Sequence, residues 1–176
     1  MGKTEFDPRR TIFVSGSISE RQLNRFRKQY CALVEVDVEK PINVIMYSDG
    51  GAVEAALAMY DLVRNVIPVK RLNMVATGMV ASAAVLVYLA GDYRYMGERA
   101  ALYLHPVGRD LEGRFSPREL DRLATEGRDT EQRCHAIYAE RTGHSISEMA
   151  RLMAEEMQIR GPEAISYGFA QEILKR

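Results

Sequence analysis

Residues 73–91 read NMVATGMVASAAVLVYLAG, and no charged side chain lies between Arg71 and Asp92. An uncharged run of this length requires a membrane-spanning helix to be considered first. Small and polar residues interrupt the run, however, and they favour a buried strand, a tight turn at Thr77-Gly78 and a buried helix. Ser82 would then lie in the first turn of that helix, where free N–H groups and the helix dipole favour negative charge. The pattern indicates a small packing residue, a helix cap or a nucleophile at this position.

The composition bounds the class of protein. With 176 residues, 47% of them hydrophobic, the chain is long enough for one core and too short for two ordinary domains. Its 24 basic and 24 acidic side chains balance, so no overall field attracts nucleic acid or a membrane surface. The two cysteines, Cys31 and Cys134, form no disulfide framework, and the first residues lack the apolar core of a signal peptide. We therefore expect a cytoplasmic protein.

The first part of the chain repeats the order strand, turn, helix. A strand at Thr11–Val14 precedes an amphipathic helix that starts near Ser19, and a strand at Ile42–Tyr47 precedes Gly50-Gly51 and another helix. Such units build parallel sheets, in which ligands bind beyond the carboxyl ends of the strands. Gly50-Gly51 and Ser82 are both expected at that edge, where glycine N–H groups can face an anion.

The histidines suggest a base rather than a metal site. His105 follows a predicted strand, Ala101–Leu104, and precedes Pro106, so it is either placed to act as a general base or is an ordinary surface residue. The three histidines are scattered without cysteine partners, which argues against a metal ion. Cys134 and His135 are adjacent in a predicted helix, where neighbouring side chains diverge by about 100° and cannot act as a pair.

The last third of the chain is mainly helical. A capped helix is predicted from Ser116 to about Arg141, ended by Thr142-Gly143. Further helices are predicted from Ser145 and from Gly161. A last strand is predicted at residues 169–174.

Five groups of motifs follow one another along the chain and are specific when taken together. They are Ser48-Asp49-Gly50-Gly51 with Met59-Tyr60-Asp61, Gly78-Met79-Val80-Ala81-Ser82, Leu104-His105-Pro106, Arg141-Thr142-Gly143 and Pro162-Glu163-Ala164-Ile165-Ser166-Tyr167-Gly168. From about Thr11 to Ile173 the chain thereby resembles the Clp protease proteolytic subunit family. Members of this family are serine peptidases of the crotonase-like fold, whose subunits form two stacked seven-membered rings around a chamber.

The resemblance implies a fold, an assembly and a substrate class. The fold would be α/β, built from repeated ββα units, with residues 1–10 as a short extension and residues 11–176 as a single peptidase domain. A homo-oligomeric ring would hydrolyse peptides or unfolded proteins and would need no cofactor, metal, nucleic acid or membrane. The helix from Ser116 would interlock two rings, and the edge at Pro106-Val107-Gly108 would hold substrate as an added strand.

The resemblance also assigns the site. Ser82 matches the nucleophile and His105 the general base, while the backbone N–H groups of Gly51 and Ala83 match the oxyanion hole. These are the groups that acyl transfer requires: a serine near a helix start, a base on a neighbouring strand end and a glycine N–H facing both.

Four features depart from the family pattern, the smallest being that Pro106 directly follows His105 where the family usually has glutamine before proline. The family's third triad residue, an aspartate, falls on Glu156, beside Glu155, so either glutamate or neither orients His105. Asp49 replaces a proline beside the oxyanion site, and the segment before Thr11 is short for the parts that dock an AAA+ unfoldase. The main alternative is therefore a catalytically inactive ring or regulatory subunit of the same fold. An acyl-CoA enzyme of the related crotonase group is a further alternative.

Overall fold

A mostly parallel sheet organises the protein. The computed structural model describes residues 6–108 and 111–175. The strands are β1 (Thr11–Ser15), β2 (Ile42–Ser48), β3 (Leu72–Ala81), β4 (Tyr93–Gly97), β5 (Ala101–Tyr103), β6 (Gln158–Arg160) and β7 (Glu172–Leu174). The main path of the sheet runs β1-β2-β3-β4-β7, and β5 pairs with β3 while β6 pairs antiparallel with β5. This arrangement confirms the expected α/β fold.

Helices connect the strands and cover the sheet. The helices are α1 (Glu20–Val36), α2 (Val53–Asp61), α3 (Ala83–Leu89), α4 (Pro117–Thr142), α5 (Ile146–Ala154) and α6 (Gly161–Ser166). A turn of π-helix, Leu62–Val66, extends α2. All of α3 is buried, and it packs between α2 and α4. Within the described ranges no helix is both long and apolar enough to cross a membrane.

The strand β3 corrects the first sequence prediction. No turn ends it at Thr77-Gly78; the strand continues to Ala81. Gly78 has a φ of 59°, and there β3 changes partners, from β4 at residues 73–76 to β5 at residues 79–81. Hydrogen bonds to these partners keep the backbone extended on both sides of the bend, so the glycine redirects the strand instead of ending it. Ser82 consequently lies at the N-cap of α3 and not in its first turn.

The polar residue that begins the same uncharged run has a partner in the sheet. Asn73 lies beside Asn43 of the neighbouring strand, and its side-chain N–H donates to the Asn43 side-chain oxygen over 2.8 Å. Both side chains are buried. The pair satisfies polar groups that would otherwise destabilise the core.

The C-terminal third follows the predicted pattern with two differences. The helix α4 begins with a capping box between Ser116 and Glu119 and ends at Gly143, which has a φ of 81°. Strand β6 was not predicted, because three residues are too few for a periodic signal. Strand β7 is shorter than the predicted 169–174; Phe169 is fully buried, and the preceding residues follow α6 as a turn.

Arg94 connects the C-terminal segment to the sheet. Its buried guanidinium donates to the backbone oxygens of Gly91, Arg141, Gly168 and Phe169 at 2.9–3.2 Å. Burial lowers the pKa of Arg94 to about 10, which leaves the group protonated at neutral pH. One side chain thus supplies donors to carbonyl groups from three separate segments.

Candidate active site

A cavity of about 310 Å³ lies at the carboxyl ends of β2 and β3. It brings together four residues assigned from the sequence, Ser82, His105, Gly51 and Ala83. The remaining lining residues are Val53, Leu86, Val107, Gly108, Cys134, Tyr138 and Met153. Glu156, the fifth assigned residue, does not line this cavity.

Ser82 has an unusual backbone conformation. Its φ is 54° and its ψ is −133°, a region that costs a non-glycine residue about 1–3 kcal/mol. Its N–H donates to the Tyr103 oxygen over 2.9 Å, which ties the serine to the end of β5. Conformations of this kind persist where the surrounding structure imposes them, and they concentrate at functional sites.

Ile18 forms hydrogen bonds to the residues on either side of Gly51 in the loop after β2. The Ile18 N–H donates to the Gly50 oxygen over 2.7 Å, and the Ala52 N–H donates to the Ile18 oxygen over 2.8 Å. The N–H of Gly51, between them, has no acceptor among the described residues, and neither has the N–H of Ala83. Gly51 has a φ of 141°, and a Cβ there would lie 2.3 Å from the Ile18 oxygen. Glycine is therefore required for this loop, which leaves one N–H unpaired beside the cavity.

His105 lies two residues beyond β5, which ends at Tyr103, one residue before the end of the predicted strand. The Leu104 N–H donates to the Met157 oxygen over 2.9 Å, so the backbone pairing with the β6 side continues past β5. The His105 ring stacks on the Tyr103 ring with centroids 5.7 Å apart. In the described part of the chain no hydrogen bond joins His105 to Ser82 or to Glu156.

The two glutamates that competed for the third position have different partners. Glu155 receives two hydrogen bonds of 2.8 Å from Arg151, one turn earlier on α5. Glu156 receives a hydrogen bond of 3.0 Å from the Tyr103 hydroxyl. Glu155 is thus held in an exposed ion pair, whereas Glu156 bonds to the tyrosine whose ring stacks on His105. Asp49 is exposed, at the start of the loop that carries Gly51.

Cys134 and Tyr138 form part of the cavity wall and were not assigned from the sequence. They lie one turn apart on α4, and both are 2% exposed. Burial raises the pKa of the Cys134 thiol to about 11 and raises the pKa of Tyr138 further. Both groups are therefore neutral at physiological pH and act here as apolar wall. Their spacing of four residues on one helical face was the available signal.

Tyr103 was also not assigned to the site from the sequence. It precedes His105 by two residues, and alternate residues of an extended strand face the same side. That spacing indicates a neighbour of the histidine, although it does not show what the hydroxyl contacts. Together the cavity groups could support acyl transfer: a hydroxyl, a nearby imidazole and two unpaired N–H groups around one space.

The chain is similar to known proteases along its whole length. It matches the family model described as Clp protease over residues 3–176. It is 32% identical to ATP-dependent Clp protease proteolytic subunit 2 of Treponema pallidum, over 95% of this chain and 83% of the relative. It is 29% identical to the protein of the same name from Gluconobacter oxydans, over 96% of this chain and 75% of the relative. A ClpP1 mutant from Listeria monocytogenes superposes with a TM-score of 0.85 and 26% identity, over 96% of this chain and 92% of that one.

Proposed function

Because this chain belongs to the Clp protease family, we propose that it is a serine peptidase that hydrolyses peptide bonds through an acyl-enzyme intermediate. One observation carries the proposal: Ser82, His105, Gly51 and Ala83 line the same cavity. The N–H groups of Gly51 and Ala83, which have no acceptor among the described residues, add support, since an oxyanion hole needs donors without internal acceptors.

The proposed reaction has two halves. The Ser82 hydroxyl attacks the peptide carbonyl carbon while His105 takes the hydroxyl proton, and the carbonyl oxygen becomes an oxyanion held by Gly51 and Ala83. The C–N bond then breaks as His105 returns the proton to the leaving amine. In the second half, His105 takes a proton from water as the water oxygen attacks the ester carbon. The ester C–O bond then breaks as His105 returns that proton to the Ser82 oxygen, which releases the acid.

We assign Glu156 as the carboxylate that orients His105. Glu155 is the weaker candidate because Arg151 holds both of its oxygens. The backbone pairing of residue 104 with residue 157 favours Glu156, since it brings the chain at residue 156 towards His105. An oriented carboxylate keeps the imidazole in the tautomer that accepts the serine proton.

The family also suggests an assembly and partners. We propose a homo-oligomeric ring that acts on peptides or unfolded proteins in the cytoplasm. An AAA+ unfoldase is a proposed partner, because the names of the relatives include "ATP-dependent". Light scattering tests the ring, and a monomer at micromolar concentration would contradict it. Stimulation of protein degradation by an added unfoldase with ATP tests the partner.

Labelling with a fluorophosphonate, followed by intact-mass measurement, tests the serine. We expect one adduct on the native protein, none on Ser82→Ala and one on Ser166→Ala, a control that removes an exposed hydroxyl from α6. An activated serine is required for this reaction, whatever peptide the enzyme prefers. Absence of the adduct on folded, assembled protein would contradict the proposed activity.

One observation favours the second candidate, an inactive ring or regulatory subunit. The Glu156 carboxylate is bonded to Tyr103, and no described hydrogen bond joins it to His105. Such a subunit would assemble normally but would not react with the fluorophosphonate. An acyl-CoA enzyme of the crotonase group is less well supported, because the family match is to proteases. Thioester turnover retained in Ser82→Ala would favour it.

A further inference from the structure

The antiparallel pairing of β5 and β6 brings the segment just after β5 beside the segment just before β6. The strands are antiparallel, with Ala101 paired to Arg160 and Tyr103 paired to Gln158. The hydrogen bond from the Leu104 N–H to the Met157 oxygen extends this register by one residue. His105 and Glu156 are the next residues along the two segments, and Glu156 turns away from the extended conformation with a φ of 53°. The pairing therefore brings the two residues to neighbouring places in the backbone.

Glu156 occupies a backbone position that normally selects glycine. It follows the last residues of α5 with a φ of 53°, and its N–H donates to the Met153 oxygen while the Met157 N–H donates to the Leu152 oxygen. These two bonds define a Schellman motif, in which the left-handed residue is usually glycine. A side chain in this conformation costs roughly 1–2 kcal/mol. A strained residue with a charged side chain suggests that the carboxylate itself is needed.

Tyr103 holds that carboxylate while it touches the histidine. Its hydroxyl donates to one oxygen of Glu156 over 3.0 Å, and its ring lies against the His105 ring at 5.7 Å between centroids. The hydrogen bond to Glu156 raises the pKa of Tyr103, so the hydroxyl remains a donor at neutral pH. A carboxylate has two oxygens, and the second Glu156 oxygen is left for another donor.

We propose that Tyr103 is a positioning residue, which fixes the Glu156 carboxylate so that its second oxygen can accept the His105 ring N–H. This inference rests on the proposed peptidase function. The Tyr103 hydroxyl donates to Glu156 and is proposed to act through that carboxylate. It acts by reducing the number of conformations open to an exposed glutamate side chain, so that the carboxylate is in place when the histidine takes the serine proton.

Tyr103→Phe removes the hydroxyl and keeps the ring that stacks on His105. We expect kcat for a small peptide to fall about 10-fold to 100-fold with little change in KM, because orientation is lost and binding is not. The acid limb of the pH–rate profile should move to lower pH, because a distant carboxylate stabilises the imidazolium less. A purely structural role would lower the rate without moving that limb.

Two comparisons test whether Tyr103 affects the rate through the Glu156 carboxylate. Tyr103→Phe combined with Glu156→Gln should be no slower than Glu156→Gln alone, because both changes remove the same interaction. Tyr93→Phe is the matched control, since the Tyr93 hydroxyl makes a similar contact with Glu172, at 3.5 Å, away from the cavity. We expect wild-type kinetics from it. An unchanged rate in Tyr103→Phe, or additive losses in the double variant, would overturn the proposal.

A spectroscopic measurement separates this proposal from the peptidase function. Carbon-13 labelling of the histidine rings gives three signals, and the His105 signal can be assigned by its loss in a variant. In Ser82→Ala protein, Tyr103→Phe and Glu156→Gln should shift the pH midpoint of that signal downwards by similar amounts. If the fluorophosphonate test fails but these shifts occur, the function is wrong and the positioning stands. No shift, or an upward shift that indicates Tyr103 withholds the carboxylate, refutes the positioning.

Discussion

Gly50 packs so closely against Ser82 that a Cβ on the glycine would stand 2.5 Å from the Cβ of the serine. The same Cβ would lie 2.8 Å from the Ala81 oxygen. The loop after β2 and the end of β3 therefore fit together only because Gly50 has no side chain. The loop after β2 and the end of β3 are thus in close contact at the proposed nucleophile.

Gly50→Ala should displace Ser82. Gly50 has a φ of 98°, so alanine is strained there as well as crowded. We expect the rate of Ser82 labelling to fall about 100-fold, since small displacements at a reacting group have large effects. Gly127→Ala is the control: nothing lies within 4 Å of a Cβ there, and alanine favours α4. Equal labelling rates in both variants would contradict this account of the loop.

Glu156→Gln and Glu155→Gln should have very different effects on peptide hydrolysis. If Glu156 orients His105, its amide variant should lose kcat by up to the order of 10⁴, because the histidine then adopts the wrong tautomer. Glu155 pairs with Arg151 in an exposed position, so its variant should stay within about twofold of wild type. Small losses of kcat in both variants would contradict the assignment of Glu156 as the third triad residue.

Asp49→Asn should increase the acylation rate slightly. The carboxylate is exposed and only two residues from Gly51, so it opposes the oxyanion through solvent. We expect an increase of about twofold at low salt that disappears at high salt, because ions screen exposed charges. Single-turnover kinetics at two ionic strengths would measure it. A large decrease would instead indicate that Asp49 contacts the substrate.

The two cysteines should react very differently with a thiol reagent. Cys134 is 2% exposed, and burial raises its pKa to about 11, so about one molecule in a thousand carries the reactive thiolate at pH 8. The raised pKa keeps the proton on the sulfur until the pH approaches that value or the protein unfolds. Native protein should thus show one reactive thiol and denatured protein two. Cys31→Ser should abolish the fast reaction, and a remaining fast thiol would show that Cys134 is accessible.

Arg94→Met should destabilise the protein strongly. The variant removes the donors that Arg94 supplies to four buried or partly buried carbonyl oxygens, one of which, that of Gly91, keeps a donor from Arg141. We expect a loss of about 3 kcal/mol or more in the free energy of unfolding, measured by denaturant titration at fixed protein concentration. Arg122→Met removes an exposed ion pair on α4 and should change stability by less than about 0.5 kcal/mol. Similar values for the two variants would contradict the role of Arg94.

Local patterns predicted the elements that have strong local signals. Ser116 with Glu119, followed by Gly143, marks both ends of α4, and the structure has the helix within two residues of the predicted bounds. Ser82 and the Gly50-Gly51 loop were also expected at one edge of the sheet, and they line one cavity. The ends of α4 are set by residues close to them in the sequence, whereas the meeting of Ser82 with the Gly50-Gly51 loop follows from the parallel order of β2 and β3.

The remaining features depend on contacts between distant residues. The Thr77-Gly78 pair reads as a turn, yet β4 and β5 hold the strand extended through it. Arginine is usually a surface residue, and Arg94 is buried because carbonyl groups from distant segments converge on its guanidinium. The bond from Tyr103 to Glu156 joins residues 53 positions apart, so no local pattern could indicate it. Tertiary pairing outweighs local preference at these places.

The proposed site combines two parts of different local stability, the end of β3 and the segment before β6. Ser82 follows a strand that is paired on both sides, whereas Glu156 precedes β6, which has three residues and, among the described strands, pairs only with β5. Short edge elements open at a lower free energy than central strands. The amide of Ser82 should therefore exchange its hydrogen only when the whole protein unfolds, while the segment of Glu156 exchanges earlier. Peptidase activity would then be lost at a lower denaturant concentration than the one that unfolds the sheet.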